Sequence, residues 1–468
     1  MTDRFFRQPI DHFRPSLGTF DQRYYVRDSY VKTGATSTPL LLFLGGEAPL
    51  DGPPAPGSFV DTLARRHNAL LVALEHRFYG RSIPFDELTT RNLRLLSLKQ
   101  ILADVGAFCE GYAKAVSTAL GPGALLPDSS GWAPPPSRWV VVGGSYAGAL
   151  AAWSAARHPS LVAGAIASSA VVAPALEVPE FDLAAGRVAG APCAAAIRAV
   201  SRALDAALAG DVSDRTRRLF GARQLSDGEL RLAVADALSA PLMFGRRGEV
   251  CEPLVRASGG GAALLLAAAA NHTRSRFLPT LAYGADEYSL GFLSETAAHP
   301  RKSARQWLWQ RCSELGLWQT AAARMPLRSP KLTLPYFRSA CVAAFASPGD
   351  DEEKGVVWPD ADALRKRYTE FGANVVFTYG SEDPWRTAGA ATGHPLVIDC
   401  DGCAHCAELG APADDDPPQL AAARDAIDAQ LGEWLRGTET RPGATGEDDP
   451  VVASVLRMAG EALAESAS

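Results

Sequence analysis

The sequence predicts an α/β fold whose parallel sheet is interrupted by a long helical insertion. Three observations lead to this prediction. Short apolar runs bounded by turn residues alternate with helical patterns in the first third of the chain. From about residue 181 to about residue 328, Ala, Leu and Arg then recur at helical spacing. Strand patterns return towards the C-terminus, so the sheet resumes after the insertion.

The predicted strands differ in pattern along the chain. Residues 40–44, 69–74 and 139–142 are continuous apolar runs that end in glycine or charged residues. A strand covered by helices on both faces has this pattern, because neither face meets water. Residues 22–31 instead alternate aromatic and polar residues, which predicts an antiparallel edge strand.

Helical patterns follow these strands and close the chain. Residues 95–115 and 146–157 read as helices that cover the sheet, and residues 419–435 form a final amphipathic helix. Apolar runs at 375–379 and 396–398 predict the strands that complete the sheet. Strand, turn and helix in alternation indicate parallel strands.

Composition excludes several classes of function. The chain has 468 residues, of which 47% are hydrophobic and 21% charged, as in a folded globular protein. A net charge of -6 and a pI of about 5.8 provide no basic field, so nucleic acid is not an expected partner. The longest apolar stretch, Ala262 to Ala270, is too short to cross a bilayer, and we expect no membrane span.

The signals for cellular compartment disagree. Residues 1–11 contain no apolar core and no small-residue cleavage site, so they do not read as a signal peptide. The chain nevertheless has eight cysteines and a glycosylation sequon at Asn271, both of which suit the secretory pathway. Composition alone leaves the compartment open, the cytoplasm included.

A candidate nucleophile follows the third apolar run. Gly143-Gly144-Ser145-Tyr146-Ala147-Gly148 comes directly after a predicted strand and opens a predicted helix, which is the context of a nucleophile elbow. The strict pattern has glycine where Ala147 stands. The structural alternative is a serine that caps the helix. With the elbow, the fold class becomes an α/β-hydrolase fold with an inserted, mainly helical cap domain.

Two late residues complete a catalytic triad in the order Ser, acid, His that is typical of this fold. Asp383 follows the strand at 375–379, and His405 follows the strand at 396–398. His394 precedes that last strand and would lie at the wrong sheet edge. Serine needs an imidazole to take its proton and a carboxylate to orient that imidazole. Singly, Asp383 and His405 could be turn and surface residues.

The oxyanion of an acyl-transfer reaction needs two backbone donors. We predict the N–H groups of Tyr146 and Gly46, the latter in the glycine pair after the first apolar run. An ordinary tight turn is the alternative at Gly46. Glu75 and Arg77 end the second run, and we interpret them as a buried ion pair that holds the loop.

Three cysteines around His405 allow another interpretation. Cys400, Cys403 and Cys406 have zinc-ligand spacing, but no second Cys-x-x-Cys occurs in the sequence. We therefore predict neither a metal nor any other cofactor.

Several long motifs resemble one family of serine peptidases. The motifs are FRQPIDHF at 6–13, QRY at 22–24, GGE at 45–47, EHRFYGRSIP at 75–84, GGSYAGALAAW at 143–153, WQRCSELG at 309–316, GSEDPW at 380–385 and AHCAEL at 404–409. The family includes prolyl carboxypeptidase, dipeptidyl peptidase II and thymus-specific serine protease. The Ala-His-Cys form resembles the thymus-specific branch most.

The resemblance implies triad roles for Ser145, Asp383 and His405, cleavage of short peptides beside proline, and a lysosomal or secreted setting. Within its motifs we assign Glu47 and Trp385 to substrate binding. It also implies cap disulfides, for which we expect the pairs Cys312–Cys341 and Cys193–Cys251. The expected partners are short peptide substrates, and a homodimer is left open.

The domain boundaries that follow are residues 1–175 and 366–437 for the two parts of the α/β-hydrolase domain, 176–365 for the helical cap, and 438–468 for a polar tail with a short helical pattern. Ala147, and Ala170-Val171 where the family commonly has Ala-Pro, depart from the family pattern and put full activity in doubt. The alternatives to a proline-directed exopeptidase are an esterase or lipase, and a binding protein without turnover.

Overall fold

The computed structural model describes residues 3–32, 38–119, 139–277, 288–346, 358–368, 370–391 and 394–436. Ten strands lie in this part of the chain: β1 Arg4–Pro9, β2 Thr19–Arg27, β3 Leu40–Leu44, β4 Leu70–Leu74, β5 Trp139–Gly144, β6 Val162–Ser168, β7 Ala175–Glu177, β8 Gly316–Trp318, β9 Val375–Gly380 and β10 Leu396–Ile398. Eight of them form one sheet in the order β1-β2-β4-β3-β5-β6-β9-β10, and β7 pairs with β8.

The α-helices of the same residues fall into three groups. Those beside the first strands are Phe59–Arg66, Thr90–Leu93, Leu98–Ala119 and Ser145–Arg157. Those between β6 and β9 are Pro179–Ala209, Ser213–Leu219, Asp227–Met243, Arg247–Ala257, Gly261–Phe277, Leu290–Leu293, Ala304–Gln310, Leu334–Phe345 and Ala361–Tyr368. The third group is the single helix Pro418–Leu435, which follows β10.

The sheet is mixed, and its antiparallel part differs from the sequence-based expectation. β2 is antiparallel to both of its neighbours, whereas the pairs from β4 to β10 are parallel. The antiparallel strand expected at 22–31 is β2, but the prediction that it forms the edge is wrong. β1 covers it, and one face of β1 is exposed, which weakens its apolar signal.

Helices cover both faces of the sheet. On one face, Leu41, Leu71 and Val140 pack with residues of helices Phe59–Arg66 and Pro418–Leu435. On the other face, alternate residues of the same strands pack against helices Leu98–Ala119 and Ser145–Arg157. Both faces are therefore buried, which explains the continuous apolar runs in the sequence.

The insertion between β6 and β9 is mainly helical, with the short pair β7 and β8 at its base. By length and composition, the stretches Pro179–Ala209 and Arg247–Ser275 of the described residues could cross a membrane. In the structure their apolar residues pack in one core, and a disulfide joins Cys193 to Cys251. Of their most apolar windows, 44% and 33% respectively is buried inside the protein.

A mostly parallel sheet between helical layers, with helices inserted after β6, is the α/β-hydrolase fold, as predicted. The sheet helix expected at 95–115 runs from Leu98 to Ala119. The predicted tail at 438–468 lies outside the described residues.

Candidate active site

Ser145 occupies the turn between β5 and the helix Ser145–Arg157. Its φ is +58°, a left-handed conformation that is rare for a residue with a side chain. A Cβ at Gly143 would stand 2.1 Å from the carbonyl oxygen of Ala147, and one at Gly148 would stand 2.7 Å from that of Ser168. The turn therefore needs glycine at both positions, and it has the form of a nucleophile elbow.

Ala147, which departs from the strict elbow pattern, fits this turn without a clash on the loop side. The side chain is buried, with 5% of its surface exposed. Its Cβ lies 3.6 Å from the position that a Cβ on Gly46 would take, an ordinary van der Waals distance. The tightest contacts of the turn lie at Gly143 and Gly148 instead.

Asp383 and His405 are brought together at the same edge of the sheet. The Nδ1 atom of His405 lies 2.9 Å from each carboxylate oxygen of Asp383, and both side chains are buried. Oδ1 of Asp383 also accepts a hydrogen bond from the backbone N–H of Trp385 at 2.9 Å. The carboxylate can therefore hold a proton on Nδ1, which leaves Nε2 of His405 free to accept one.

A cavity of about 1180 Å³ brings these groups together with Ser145. Its floor comes from the loops after β3 and β5 and from the His405 loop, and its roof comes from the helical insertion. The predicted site residues that line it are Gly46, Glu47, Ser145, Tyr146, Trp385 and His405. Asp383 lies behind His405. The structure thus assembles residues that are far apart in the sequence.

The two predicted oxyanion donors flank Ser145. Tyr146 follows it directly, and Gly46 lies on the loop after β3 against Ala147. The phenol of Tyr146 points into a buried network: its oxygen accepts from Nε2 of Gln310 at 2.6 Å and lies 3.2 Å from Nε2 of His76. The backbone N–H of Tyr146 is thus held by a side chain anchored in the insertion.

His76 is neutral in this network. Its Nδ1 lies 2.7 Å from the carbonyl oxygen of Arg77, so Nδ1–H donates there and Nε2 accepts from the Tyr146 hydroxyl. Burial lowers the pKa of His76 to about 4. His76 lies in the EHRFYGRSIP motif at 75–84, but sequence reasoning gave it no role and missed this network.

Glu47 and Trp385 line the same cavity as His405. Burial raises the pKa of Glu47, and the nearby His405 opposes that rise. The Trp385 ring packs against Phe181 with 4.8 Å between ring centres, and its indole N–H donates to the Met243 sulfur at 3.1 Å. Phe181 and Met243 belong to the insertion, and sequence reasoning did not identify them.

The predicted ion pair between Glu75 and Arg77 is wrong, although both side chains are buried. Arg77 binds both carboxylate oxygens of Asp104, at 2.5 and 2.7 Å. Glu75 pairs instead with Arg23, at 2.5 Å from Nη2. Both residues lie beyond the end of β4, where the chain turns, so strand alternation does not determine their partners. Both residues still hold loops at the edge of the site.

The cysteines pair in three disulfides within the described residues. They are Cys193–Cys251, Cys312–Cys341 and Cys400–Cys403. The first two are the pairs that the resemblance implied. Because Cys400 and Cys403 are bonded to each other, of the three thiols in the zinc interpretation only Cys406 is free. Among the described residues no group of three or more His, Cys, Asp or Glu side chains could hold a metal ion.

The sequon lies on a helix of the insertion. Asn271 is exposed near the end of helix Gly261–Phe277, whereas the hydroxyl of Thr273 is buried. Glycosylation of Asn271 stays a prediction.

Comparison with known proteins adds to the geometry. A family model described as serine carboxypeptidase S28 matches residues 8–216 and 283–427. The chain is 32% identical to the probable serine protease EDA2 of Arabidopsis thaliana, over 86% of this chain and 80% of the relative. It is 30% identical to the thymus-specific serine protease of Homo sapiens, over 92% and 86%. A proline iminopeptidase from Mycobacterium smegmatis superposes with a TM-score of 0.39 and 12% identity, over 94% of this chain and 100% of that one.

Proposed function

The chain belongs to the serine carboxypeptidase S28 family, and we propose that it is a serine exopeptidase that hydrolyses short peptides next to proline through an acyl-enzyme. In this proposal Ser145 is the nucleophile, His405 the general base and acid, and Asp383 the residue that orients His405. Membership of this family means that the protein is a serine peptidase with peptide substrates. The triad, the requirement for a chain end and the preference for proline are what we propose.

The observation that supports the triad most is the contact of Asp383 with Nδ1 of His405, with His405 and Ser145 lining one cavity. Ser145 Oγ attacks the scissile carbonyl carbon while Nε2 of His405 takes the hydroxyl proton. The same proton then passes to the leaving amine as the C–N bond breaks. Water attacks the resulting ester in the same way, which releases the acid and restores Ser145.

The negative oxygen that forms on the carbonyl carbon needs donors that are already in place. The backbone N–H groups of Tyr146 and Gly46 are the proposed donors. The insertion anchors Tyr146 through Gln310, so the donor is fixed before substrate arrives. A preorganised donor of this kind contributes about 3 kcal/mol to transition-state binding.

The roofed cavity supports an exopeptidase. Helices of the insertion close the site from above, and a cavity of about 1180 Å³ accepts a few residues rather than a folded protein. The cavity that Ser145 lines also has apolar lining residues, among them Val171, Phe181, Met243 and Trp385. A proline ring is compact, rigid and apolar, and such a lining suits it in the position before the cleaved bond. Glu47 and Trp385 would then contact substrate.

The disulfides support a lysosomal or secreted setting, because such bonds persist in oxidising compartments. One relative from Arthroderma benhamiae has the printed name probable extracellular serine carboxypeptidase, and it is 25% identical over 92% of this chain.

The test is to incubate the purified protein and its Ser145→Ala variant with a library of short peptides and to identify the cleaved bonds by mass spectrometry. We expect cleavage beside proline near a chain end by the wild type and none by the variant. Cleavage of internal bonds in long chains would contradict the exopeptidase assignment. Hydrolysis of p-nitrophenyl esters without any peptide cleavage would favour an esterase, and no labelling of Ser145 by a fluorophosphonate would favour a binding protein.

A further inference from the structure

One face of helix Asp227–Met243 lines the cavity along its length. The residues of this face are Leu232, Asp236, Ser239, Ala240 and Met243, whose spacing places them on one side of a helix. The Met243 end is fixed to the reaction centre, because its carbonyl oxygen accepts from the His405 backbone N–H at 3.0 Å. The helix therefore extends from the reaction centre along the cavity, and its rise per residue gives the distance from Met243 to each lining residue.

Asp236 is the charged residue on this face, and its carboxylate is poorly satisfied. Oδ1 is buried and has no hydrogen-bond donor within the part of the chain that the structure describes. Oδ2 accepts a long hydrogen bond, 3.3 Å, from the Tyr288 hydroxyl. Nη1 of Arg328 lies 3.9 Å from Oδ1, but the Arg328 guanidinium donates to Asp182 at 3.1 Å. The Asp236 side chain is 31% exposed, and Arg311 also interacts with it electrostatically. A carboxylate that has only long contacts and partly faces a cavity favours a cationic ligand.

The buried cations of the cavity wall are satisfied by backbone carbonyls instead. Arg305 donates to the carbonyl oxygens of Leu88 at 3.0 Å and Ala344 at 2.9 Å. Arg311 donates to those of Gly316 at 3.3 Å and Leu317 at 2.9 Å.

Two further cations of the lining, Arg301 and Lys302, are at least partly solvated, and exposed charges bind a partner weakly. Asp236 thus differs from these cations: it carries an oxygen with no donor among the described residues, whereas Arg305 and Arg311 have carbonyl acceptors. This difference favours a ligand that donates hydrogen bonds to Asp236, such as an ammonium group.

The helix also sets the distance between the two sites. Asp236 precedes Met243 by seven positions, which is about 10 Å along the helix axis. An extended peptide advances about 3.3–3.6 Å per residue. Two or three residues therefore span from the His405 end of the helix to Asp236.

We infer that Asp236 is the specificity-determining residue that binds the free α-amino group of the substrate, so that the enzyme releases dipeptides or tripeptides from the amino end. This inference rests on the proposed peptidase function. The competing carboxylate is Glu47, which directly follows the proposed oxyanion donor Gly46; Glu295 also lines the cavity but is exposed. An amino group bound at Glu47 would leave room for a single residue, so the two anchors differ in the product they release.

The test uses one peptide, Ala-Pro-Ala-Phe-Ala, with its amino end free or acetylated and its carboxyl end free or amidated. For the wild type we expect acetylation to lower kcat/KM about 10- to 100-fold, the range expected for loss of one charge-assisted hydrogen bond. Amidation should change it less than about threefold, and mass spectrometry should show a dipeptide or tripeptide product. Asp236→Asn should lower kcat/KM about 10- to 100-fold for the free amine and leave the acetylated peptide unaffected.

Two controls make this test decisive. Asp227→Asn removes a charge of the same sign at the other end of the same helix, away from the cavity lining. It should leave kcat/KM for the free-amine peptide and for the acetylated peptide as in the wild type. The rate of Ser145 labelling by a fluorophosphonate reports whether each variant keeps a folded reaction centre. If Asp236→Asn does not fold, the comparison of free and acetylated peptides in the wild type still decides which chain end is bound.

Three results would overturn the inference while leaving the peptidase itself intact. The first is a wild-type kcat/KM that falls on amidation of the peptide but not on acetylation. The second is an Asp236→Asn variant that still prefers the free amine over the acetylated peptide as strongly as the wild type does. The third is a Glu47→Gln variant that loses this preference, with single residues as the products. A wild-type protein that cleaves none of the four peptides yet is labelled at Ser145 would remove the proposed function, and the inference with it.

Discussion

The backbone N–H of His405 donates a hydrogen bond to the carbonyl oxygen of Met243 at 3.0 Å. Met243 is the last residue of helix Asp227–Met243 in the insertion, and His405 belongs to the hydrolase domain. The insertion thus positions the proposed general base as well as covering the site. Just beyond this contact, a Cβ on Gly245 would stand 2.6 Å from the carbonyl oxygen of Gly402, so the backbones of these two segments lie close together.

Gly245→Ala should separate the insertion from the His405 loop. The φ of Gly245 is +68°, and the added methyl would displace the Gly402 carbonyl. We expect kcat/KM for peptides to fall about tenfold or more, because shifts of about 1 Å at a catalytic base are costly. The matched control is Gly261→Ala, where φ is +81° and nothing lies within 4 Å of the new methyl. Gly261→Ala should lose about 1–3 kcal/mol of stability through backbone strain alone, with kcat/KM unchanged.

Asp383→Asn should keep the fold and lose the reaction. The amide oxygen can still accept from the Trp385 N–H, but the NH₂ group favours the wrong tautomer of His405. We expect kcat to fall about 10⁴-fold, as for the equivalent change in other serine triads. Glu382→Gln is the control in the same loop, since Glu382 binds Arg247 and the Gly402 N–H. A kcat of Asp383→Asn within about tenfold of that of the control would remove Asp383 from the triad.

Tyr146→Phe should affect stability more than rate. It removes the hydroxyl that accepts from Nε2 of Gln310 and leaves that buried donor without this acceptor, at a cost of about 1–3 kcal/mol. The proposed oxyanion donor is the backbone N–H of residue 146, which the change keeps. Urea unfolding should therefore show the loss, while kcat stays within about fivefold. Tyr30→Phe, whose phenol binds Asp61 on another face of the protein, is the control for hydroxyl loss alone. A kcat loss above about 100-fold at unchanged stability would mean that the phenol itself acts in the reaction.

Glu314→Gln should stabilise the protein at neutral and alkaline pH. Burial raises the pKa of Glu314 from 4.5 to about 7 in the folded state. Between these values the folded state binds more protons than the unfolded state, so wild-type stability falls as the pH rises from about 4.5 to about 7. The amide keeps the acceptor for the Leu98 N–H without the charge. Relative to wild type, the variant should gain up to about 3 kcal/mol above pH 7 and nothing below pH 4.5.

Urea unfolding at several pH values measures this difference. Glu252→Gln, on the exposed side of helix Arg247–Ala257, should show no such pH dependence. A variant that is equally stabilised at pH 4.5 and pH 8 would show that charge burial is not the cause.

The sequence by itself determined the α/β-hydrolase fold. The signals for β3, β4 and β5 are strong because these strands are buried on both faces, so each is a continuous apolar run. β1 has no such run, since one of its faces is exposed, and it was missed. The elbow at Ser145 was readable because its steric demands are local: Gly143 faces backbone only four residues away.

Tertiary structure alone decided how the insertion meets the site. Whether Arg77 pairs with Glu75 or with Asp104 depends on which helix packs over the strand end, and local sequence does not state that. Likewise, the contacts of Met243 with His405 and of Gln310 with Tyr146 join residues more than 150 positions apart in the sequence. Periodicity shows which face of a helix is apolar, but the partner that a buried side chain finds is set by packing of the whole chain.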